Sequence, residues 1–186
     1  MKAVVILIDT RERECSHIIK ALDGMGVRHE ARKLDLGDYS FCVGGRDFST
    51  SCTIEPKNGP DELYGNITEK VRGDWDNRLE KELAAGGQAL KQFTLLIEGI
   101  ASMQALRNFV VPDWKMKASP QRVCADIGKT CYAALKGWQA SNRYGFRVEF
   151  AADKADTAIR IVEEFYYFYR NYKTLITSRR CYGRKS

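Results

Sequence analysis

The sequence predicts an α/β domain with a mixed central β-sheet flanked by helices, and three observations support this. Residues 3–8 and 93–99 are largely continuous apolar runs, which are typical of strands covered on both faces. Apolar residues recur at helical spacing in segments that lie between such runs. The chain has 186 residues, which is enough to close one hydrophobic core and few for two. We therefore expect one domain over residues 1–172 and a short basic tail over 173–186.

The first third of the chain predicts strands, one helix and a hairpin. The predicted elements are a strand at 3–8, a helix ending at Gly24 and Gly26, a strand at 28–34, and strands at 39–43 and 47–55. Gly44 and Gly45 tolerate positive φ, so the last two strands are expected to form a hairpin. Asp38 then lies at one root of the hairpin and Glu55 at the other.

The rest of the chain alternates helices and strands. The predicted elements are a helix or broken helix from Pro60 to about residue 85, a strand at 93–99, an irregular stretch at 100–118, a helix from Ser119-Pro120, a strand at 146–150 and a final helix. Gly86 and Gly87 are expected to stop the first of these helices. This alternation is what predicts the α/β class.

Composition limits the possible functions without choosing one. The 30 Lys and Arg residues against 24 Asp and Glu residues give a net charge of +6, which favours a polyanionic partner and also occurs without one. The six cysteines form no CxxC pair, so we expect reduced thiols in a cytoplasmic protein. The apolar run at 3–8 is too short for a membrane span. His17 and His29 are isolated, and both are interpreted as structural or solvated.

Asp38, Glu55 and Lys57 form a pattern with chemical meaning. Side chains alternate along a strand, so Glu55 and Lys57 point to one face, and the hairpin brings Asp38 beside Glu55. Two clustered carboxylates repel each other, and Mg²⁺ or Mn²⁺ would offset that repulsion. Such a site could hydrolyse a phosphodiester bond with a metal-activated water and Lys57 beside it. From spacing alone a simpler interpretation stays open, in which Asp38 caps a turn and Glu55 and Lys57 are solvated.

Six landmarks in the same order extend the pattern to nearly the whole chain. They are Ile8-Asp9-Thr-Arg11-Glu12, Leu36-Gly37-Asp38-Tyr39, Ile54-Glu55-Pro56-Lys57 with Asp61 four residues on, Asn77-Arg78-Leu-Glu80-Lys-Glu82-Leu, the strand Leu95-Leu96-Ile97-Glu98-Gly99, and a late helix, strand and helix. In these the chain resembles the nuclease domain of the XPF-type structure-specific DNA endonucleases. That family is a branch of the PD-(D/E)xK superfamily, so the resemblance implies a restriction-endonuclease-like core.

The resemblance also implies roles for individual residues. Asp38 and Glu55 match the metal ligands of the family, and Lys57 matches its catalytic lysine. Asp9 would be a further acidic residue at the site. The supporting positions would be Glu12, Asp61 and Arg78.

The chain departs from the family at Pro56, where relatives have arginine in a Glu-Arg-Lys motif. Proline lacks the guanidinium and the N–H group but keeps its carbonyl oxygen, which could complete the metal shell. We therefore expect the metal site to survive. The departure puts in doubt any contact that the arginine would make and whether the strand continues beyond residue 55.

The resemblance implies a Mg²⁺- or Mn²⁺-dependent endonuclease for branched, flapped or forked DNA, with a role in DNA repair or recombination. An alternative is a catalytically weak or inactive, nuclease-like module that binds DNA as a scaffold and acts with a partner. The aromatic residues at 165–169 are interpreted as core on one side with a dimer partner covering the rest, although they could also stack bases. Gly128-Lys129-Thr130 lacks the first glycine of a P-loop, so no nucleotide cofactor is expected.

Many relatives append a tandem helix-hairpin-helix domain for DNA binding, whereas about fifteen residues follow the last predicted helix here. We therefore expect this chain to contact DNA through its nuclease domain, its tail, a second copy or a partner protein. The basic residues proposed for phosphate contacts are Arg11, Lys115, Lys117, Arg122, Lys129, Arg179, Arg180, Arg184 and Lys185. The same side chains could equally form solvated surface.

Overall fold

A seven-stranded mixed sheet forms the centre of the computed structural model, which confirms the predicted fold class. The structure describes residues 4–68, 77–111 and 126–182, with side chains described as far as Leu175. The strands are β1 (Val4–Ile8), β2 (Arg28–Ala31), β3 (Tyr39–Val43), β4 (Arg46–Asp47), β5 (Cys52–Lys57), β6 (Gln92–Glu98) and β7 (Phe146–Ala151).

The strand directions place several chain ends at one end of the sheet. The order is β2-β1-β3-β5-β6-β7, and the short β4 pairs only with β3. Strands β5, β6 and β7 are parallel to one another, whereas β3 runs antiparallel to both β1 and β5. The carboxyl ends of β1, β5, β6 and β7 therefore lie at the same end as the start of β3. We call this the carboxyl end of the sheet.

In the ranges that the structure describes, six helices cover the two faces of the sheet. They are α1 (Ser16–Gly24), α2 (Pro60–Thr68), α3 (Arg78–Ala89), α4 (Met103–Arg107), α5 (Ile127–Ala140) and α6 (Lys154–Tyr182). Helices α1 and α6 pack on one face around Phe41 and Phe165, and the other four pack on the opposite face around Leu83 and Leu95. No helix in the described ranges is both long and apolar enough to cross a membrane.

The predicted strand 47–55 is wrong in one respect, because a turn interrupts it. Phe48 donates its N–H to the carbonyl of Phe41, and the chain turns before β5 begins at Cys52. The Phe48 ring is fully buried and stacks on Phe41 with centroids 4.6 Å apart. This core packing outweighs the strand pattern, and it includes the ring of Tyr172, 5.2 Å from that of Phe48, which is too far away in sequence for a local pattern to show. The predicted strand 28–34 also ends early, at Ala31.

The prediction that Gly86 and Gly87 stop a helix is wrong as well. Both glycines lie inside α3, which continues to Ala89, and the predicted helix or broken helix from Pro60 corresponds to the two helices α2 and α3. A Cβ on Gly86 would come within 2.5 Å of the Phe93 ring, and one on Gly87 would clash with the backbone of Gly145. The glycines therefore allow close packing of α3 onto the sheet.

Three other predictions concern the tail, a helix start and the cysteines. Helix α6 continues to Tyr182, so the segment predicted as a tail from residue 173 begins as helix. The predicted helix start at Ser119-Pro120 lies outside the described residues, and α5 begins at Ile127. The described cysteines Cys15, Cys42, Cys52 and Cys131 are free thiols.

Candidate active site

A cavity of about 340 Å³ opens at the carboxyl end of the sheet, and acidic side chains dominate its lining. The carboxylates that line it are Glu12, Glu14, Asp35, Asp38, Glu55, Glu62, Glu82 and Glu98. Its cations are Arg11, Lys57 and Arg78, and each forms an ion pair with a carboxylate. Acidic side chains therefore outnumber basic ones at the cavity.

Asp38 is held at the cavity by its own backbone. Its N–H donates to the carbonyl of Ile54 at 2.9 Å, and its carbonyl accepts the N–H of Asp9 at 2.7 Å. Gly37 precedes it with a φ of +68°, and a Cβ there would lie 2.8 Å from Thr53 Oγ1. Only glycine combines that backbone angle with so close an approach. The root of the hairpin thus fixes Asp38 between the end of β1 and strand β5, as the sequence predicts.

Glu55 and Lys57 share one face of the central strand β5, which confirms the alternation argument. Their side chains are buried, and Lys57 Nζ donates to Glu55 Oε1 at 2.6 Å. The intervening Pro56 pairs with Leu96, and the register with β6 continues to Lys57 and Ile97. The strand therefore does not end at residue 55, which resolves one doubt raised by the proline.

The Glu55–Lys57 pair is a buried ion pair. Burial raises the pKa of Glu55, and the neighbouring ammonium acts in the opposite direction. Burial would lower the pKa of Lys57, but the charge of Glu55 and the hydrogen bond to it raise that pKa overall. An Nζ–Oε1 distance of 2.6 Å is typical of a charge-assisted hydrogen bond, so we take both groups as charged. The spacing-only interpretation of a solvated edge does not fit this burial.

Asp38 is a carboxylate at the cavity with little electrostatic compensation from the protein. Burial, together with the charges of Glu55 and Glu12, raises the pKa of Asp38 to about 8. Within the described ranges no hydrogen-bond donor contacts its carboxylate. A ligand that brings positive charge to Asp38 would therefore relieve an unfavourable arrangement.

The carboxylate of Asp9, predicted as a further acidic site residue, accepts hydrogen bonds from other groups of the protein. Its carboxylate accepts hydrogen bonds from Arg11 N, Nε and Nη2 at 2.7, 2.8 and 3.0 Å, and from Leu34 N at 2.6 Å. These contacts, led by the Arg11 side chain, lower the pKa of Asp9 to about 2 despite its burial. Asp9 borders Asp38 through the backbone but does not line the cavity.

The predicted supporting residues lie in different places. Glu12 lines the cavity, and so does Arg78, whose Nε donates to Glu82 Oε1 at 2.9 Å. Asp61 lies in the first turn of α2 and faces a neighbouring depression instead. Glu62, one residue later, lines the cavity and accepts the N–H of Asn58 at 2.7 Å.

The basic residues proposed for DNA contacts are only partly described. Arg11 lines the cavity but is paired with Asp9, and Lys129 is paired with Asp126 at 2.7 Å. Lys115, Lys117, Arg122, Arg184 and Lys185 lie outside the described residues. Arg179 and Arg180 belong to the backbone of α6, but their side chains are not described.

A histidine and a glutamate at the cavity were missed as site residues. His17 Nε2 lies 2.7 Å from Glu98 Oε1, and the same oxygen accepts the hydroxyl of Thr157 at 2.6 Å. The position of Glu98 was detectable, because it ends a strand parallel to β5 at the same end of the sheet. The position of His17 was not, because its partner lies 81 residues away in sequence.

The donor set at Asp38 and Glu55 fits a hard cation that keeps part of its hydration shell. The carboxylates of Asp38 and Glu55 line the cavity, and so does Pro56, whose carbonyl oxygen is the further ligand expected from the sequence. In the described part of the chain no group of three or more His, Cys, Asp or Glu side chains could hold a metal ion. Magnesium is commonly bound by one or two carboxylates together with water and substrate phosphates, so a sparse set suits it.

Comparisons with known proteins identify the family. A model described as the ERCC4 domain matches residues 8–163. The fold is similar to that of XPF from Aeropyrum pernix, with a TM-score of 0.60 and 21% identity over 93% of this chain and 69% of that chain. For XPF from Aeropyrum pernix in complex with DNA the TM-score is 0.58 and the identity 20%, over 90% of this chain and 66% of that chain. No curated protein sequence matches.

The structural matches and the family match support different conclusions. At 21 and 20% identity the structural likeness concerns the fold, and it agrees with the predicted mixed sheet. The family match covers most of the 186 residues and includes Asp38, Glu55 and Lys57. The predicted resemblance to an XPF-type nuclease domain is therefore confirmed, and the chain belongs to the ERCC4 domain family.

Proposed function

We propose that this protein is a Mg²⁺- or Mn²⁺-dependent endonuclease that hydrolyses phosphodiester bonds in branched, flapped or forked DNA. One observation carries the proposal: Asp38, which directly precedes β3, and the Glu55–Lys57 pair on β5 line one cavity. Membership of the ERCC4 domain family and the likeness to XPF in complex with DNA support the same function.

Asp38 and Glu55 would hold the divalent cation, with the carbonyl oxygen of Pro56 as a further ligand. Burial raises the pKa of both carboxyl groups, so a cation between them offsets the cost of keeping them charged. When bound, such a cation supplies polarisation of the phosphoryl group and lowers the pKa of a coordinated water.

Lys57 would stabilise the negative charge that develops during hydrolysis. Its ammonium is already fixed by Glu55 and needs no large rearrangement to act. Removing one such preorganised electrostatic contact costs about 3 to 4 kcal/mol of transition-state stabilisation. Asp9 would act as a positioning residue, since its carboxylate holds Arg11 and Leu34 while its N–H supports the backbone of Asp38.

The test compares cleavage by the unchanged protein and by Asp38→Asn. Labelled flap, fork and linear duplex DNA are incubated with each protein in the presence of Mg²⁺ or Mn²⁺. We expect the variant to cut at least about 100-fold more slowly, because it removes a charged ligand without changing shape. Asp23→Asn is the matched control, because it removes an exposed carboxylate on α1 that does not line the cavity. Equal cleavage by Asp38→Asn and the unchanged protein would contradict the proposal.

A second candidate is a DNA-binding module that does not cut. The sparse donor set and the ion pair that occupies Glu55 are the observations that favour it. Calorimetric titration with Mn²⁺ separates the two functions. Heat that disappears in Asp38→Asn supports the nuclease, whereas DNA affinity with no heat from Mn²⁺ supports the binding module.

A further inference from the structure

The proposed function requires cations that bind DNA phosphates, and among the described residues the cavity does not supply unpaired ones. DNA is bound largely through its phosphates by Lys and Arg side chains. The cavity presents eight carboxylates, and its cations Arg11, Lys57 and Arg78 are each paired with an acid. The attraction for a polyanion must therefore come from another part of the surface.

A cluster of cations and aromatic rings lies at the opposite end of the sheet. Arg46 lies over the rings of Tyr172 and Phe48, at 4.6 and 5.5 Å from their centroids, and Lys91 lies 5.7 Å from the centroid of Tyr172. Lys173 lies 5.6 Å from the centroid of Tyr169. We call Arg46, Lys91, Tyr172 and Lys173 the distal basic patch.

Three separate elements build the distal basic patch. Arg46 begins β4 beside the Gly44-Gly45 turn, Lys91 directly precedes β6, and the other two residues belong to α6. Lys91 N donates to Ser51 O, which lies just before β5, so the patch is at the amino ends of β5 and β6. The length of β3 then separates it from Asp38 by roughly 15 to 20 Å.

The cations Arg46 and Lys91 are exposed and available to a ligand. Neither forms an ion pair with any acid in the described part of the chain. The neighbouring Asp47 is taken by Arg32, whose Nη1 lies 2.7 Å from Asp47 Oδ2. A guanidinium that rests on an aromatic face keeps its N–H groups free to bind phosphate and loses less freedom when it does so.

We propose that the distal basic patch binds the phosphate backbone of the DNA substrate, away from the bond that is cut. This inference rests on the proposed function for the identity of the polyanion. The patch supplies cations that the acidic cavity lacks, and it contacts phosphates rather than base edges. Its binding is therefore independent of sequence and weakens with salt.

The test measures the salt dependence of DNA binding in EDTA, where no cutting interferes. Each phosphate contact contributes about 0.9 to the slope of log Kobs against log salt. The variant Arg46→Gln/Lys91→Gln should therefore lower the magnitude of that slope by about 1.8. If both proteins bind equally at 1 M salt, this corresponds to roughly 60-fold weaker binding at 0.1 M.

Two further variants make the result specific. Lys20→Gln/Lys136→Gln removes the same charge from exposed sites on α1 and α5 and should leave the slope unchanged. Arg46→Lys/Lys91→Arg keeps the charge and should restore the slope. Thermal unfolding of each variant confirms that binding is measured on folded protein.

The outcomes separate this inference from the proposed function. An unchanged slope in Arg46→Gln/Lys91→Gln, a loss of slope equal to that of the control pair, or no DNA binding by the unchanged protein would each overturn the inference. Cleavage assays then report on the nuclease independently: the patch variant should show a raised KM with kcat unchanged, because Asp38 and Glu55 are intact.

Discussion

Two neighbouring aspartates at the carboxyl end of the sheet have opposite surroundings. Asp9 accepts four hydrogen bonds, and its pKa is lowered to about 2. Asp38 is linked to Asp9 through the backbone, yet its carboxylate receives no hydrogen bond within the described ranges and its pKa is raised to about 8. The first carboxylate stabilises the fold, whereas the second is the one that we propose as a metal ligand. Acidity and position in a motif do not by themselves distinguish these two roles.

The largest effect on stability is expected at Lys57, which lines the cavity together with Asp38. Lys57→Met leaves the buried carboxylate of Glu55 without its partner, which typically costs about 3 to 5 kcal/mol. Glu55→Gln/Lys57→Met removes both charges and should recover most of that loss. Chemical denaturation in EDTA measures the free energy of unfolding for the set. If the single and double variants are equally stable, the pair is not a coupled buried ion pair.

Asp9→Asn should lower stability by about 2 to 3 kcal/mol, because it replaces a charged acceptor of four hydrogen bonds. Asp38→Asn, measured in EDTA, should be at least as stable as the unchanged protein, because a carboxyl group whose pKa is raised by burial destabilises the folded state at neutral pH and an amide does not. Thermal and chemical unfolding at neutral pH compare the two variants. A larger loss in Asp38→Asn would reverse the assignment of roles.

The lowered pKa of Asp9 also predicts a dependence of stability on pH. Its carboxylate stays ionised in the folded protein below the ordinary value of 3.8, down to about 2. The stabilisation it provides is therefore complete above about pH 4 and is lost as the pH falls towards 2. The difference in unfolding free energy between the unchanged protein and Asp9→Asn should shrink over that interval. A constant difference from pH 6 to pH 2 would contradict the proposed ionic contacts.

The smallest effects are expected at the glycines that shape the hairpin. Gly37→Ala combines a φ of +68° with a Cβ 2.8 Å from Thr53 Oγ1, so it should lower stability by more than 1 kcal/mol and slow cleavage by moving Asp38. Gly45→Ala is the control, because its φ is +81° but no atom lies within 4 Å of the added Cβ. It should cost only about 1 kcal/mol of backbone strain and leave cleavage unchanged. Similar cleavage by both variants would show that Gly37 does not position Asp38.

Local chemistry explains which parts of the site were predictable. Alternation along β5 places Glu55 and Lys57 on one face, and the hairpin geometry brings Asp38 to them. Both arguments use residues close in sequence and the fixed geometry of strands. The apolar runs likewise predict β1 and β6, because strands buried on both faces need continuous apolar sequence.

The features that could not be predicted depend on contacts between distant residues. Asp9 is engaged by Leu34 N, 25 residues away, and His17 by Glu98, 81 residues away. The choice of Glu62 over Asp61 at the cavity depends on the rotation of α2 about its axis, which is set by packing. The distal basic patch joins three segments through aromatic contacts and leaves no local motif.

The contact between Gly87 and Gly145 has a consequence for engineering the protein. It places the carboxyl-terminal half of α3 against the segment that precedes β7, while the amino-terminal half of the same helix carries Arg78 and Glu82 to the cavity. A Cβ added at Gly145 would lie 3.0 Å from the carbonyl oxygen of Gly87, so a side chain there would displace α3. A substitution at Gly145 would thus change the width of the cavity without replacing any residue that lines it.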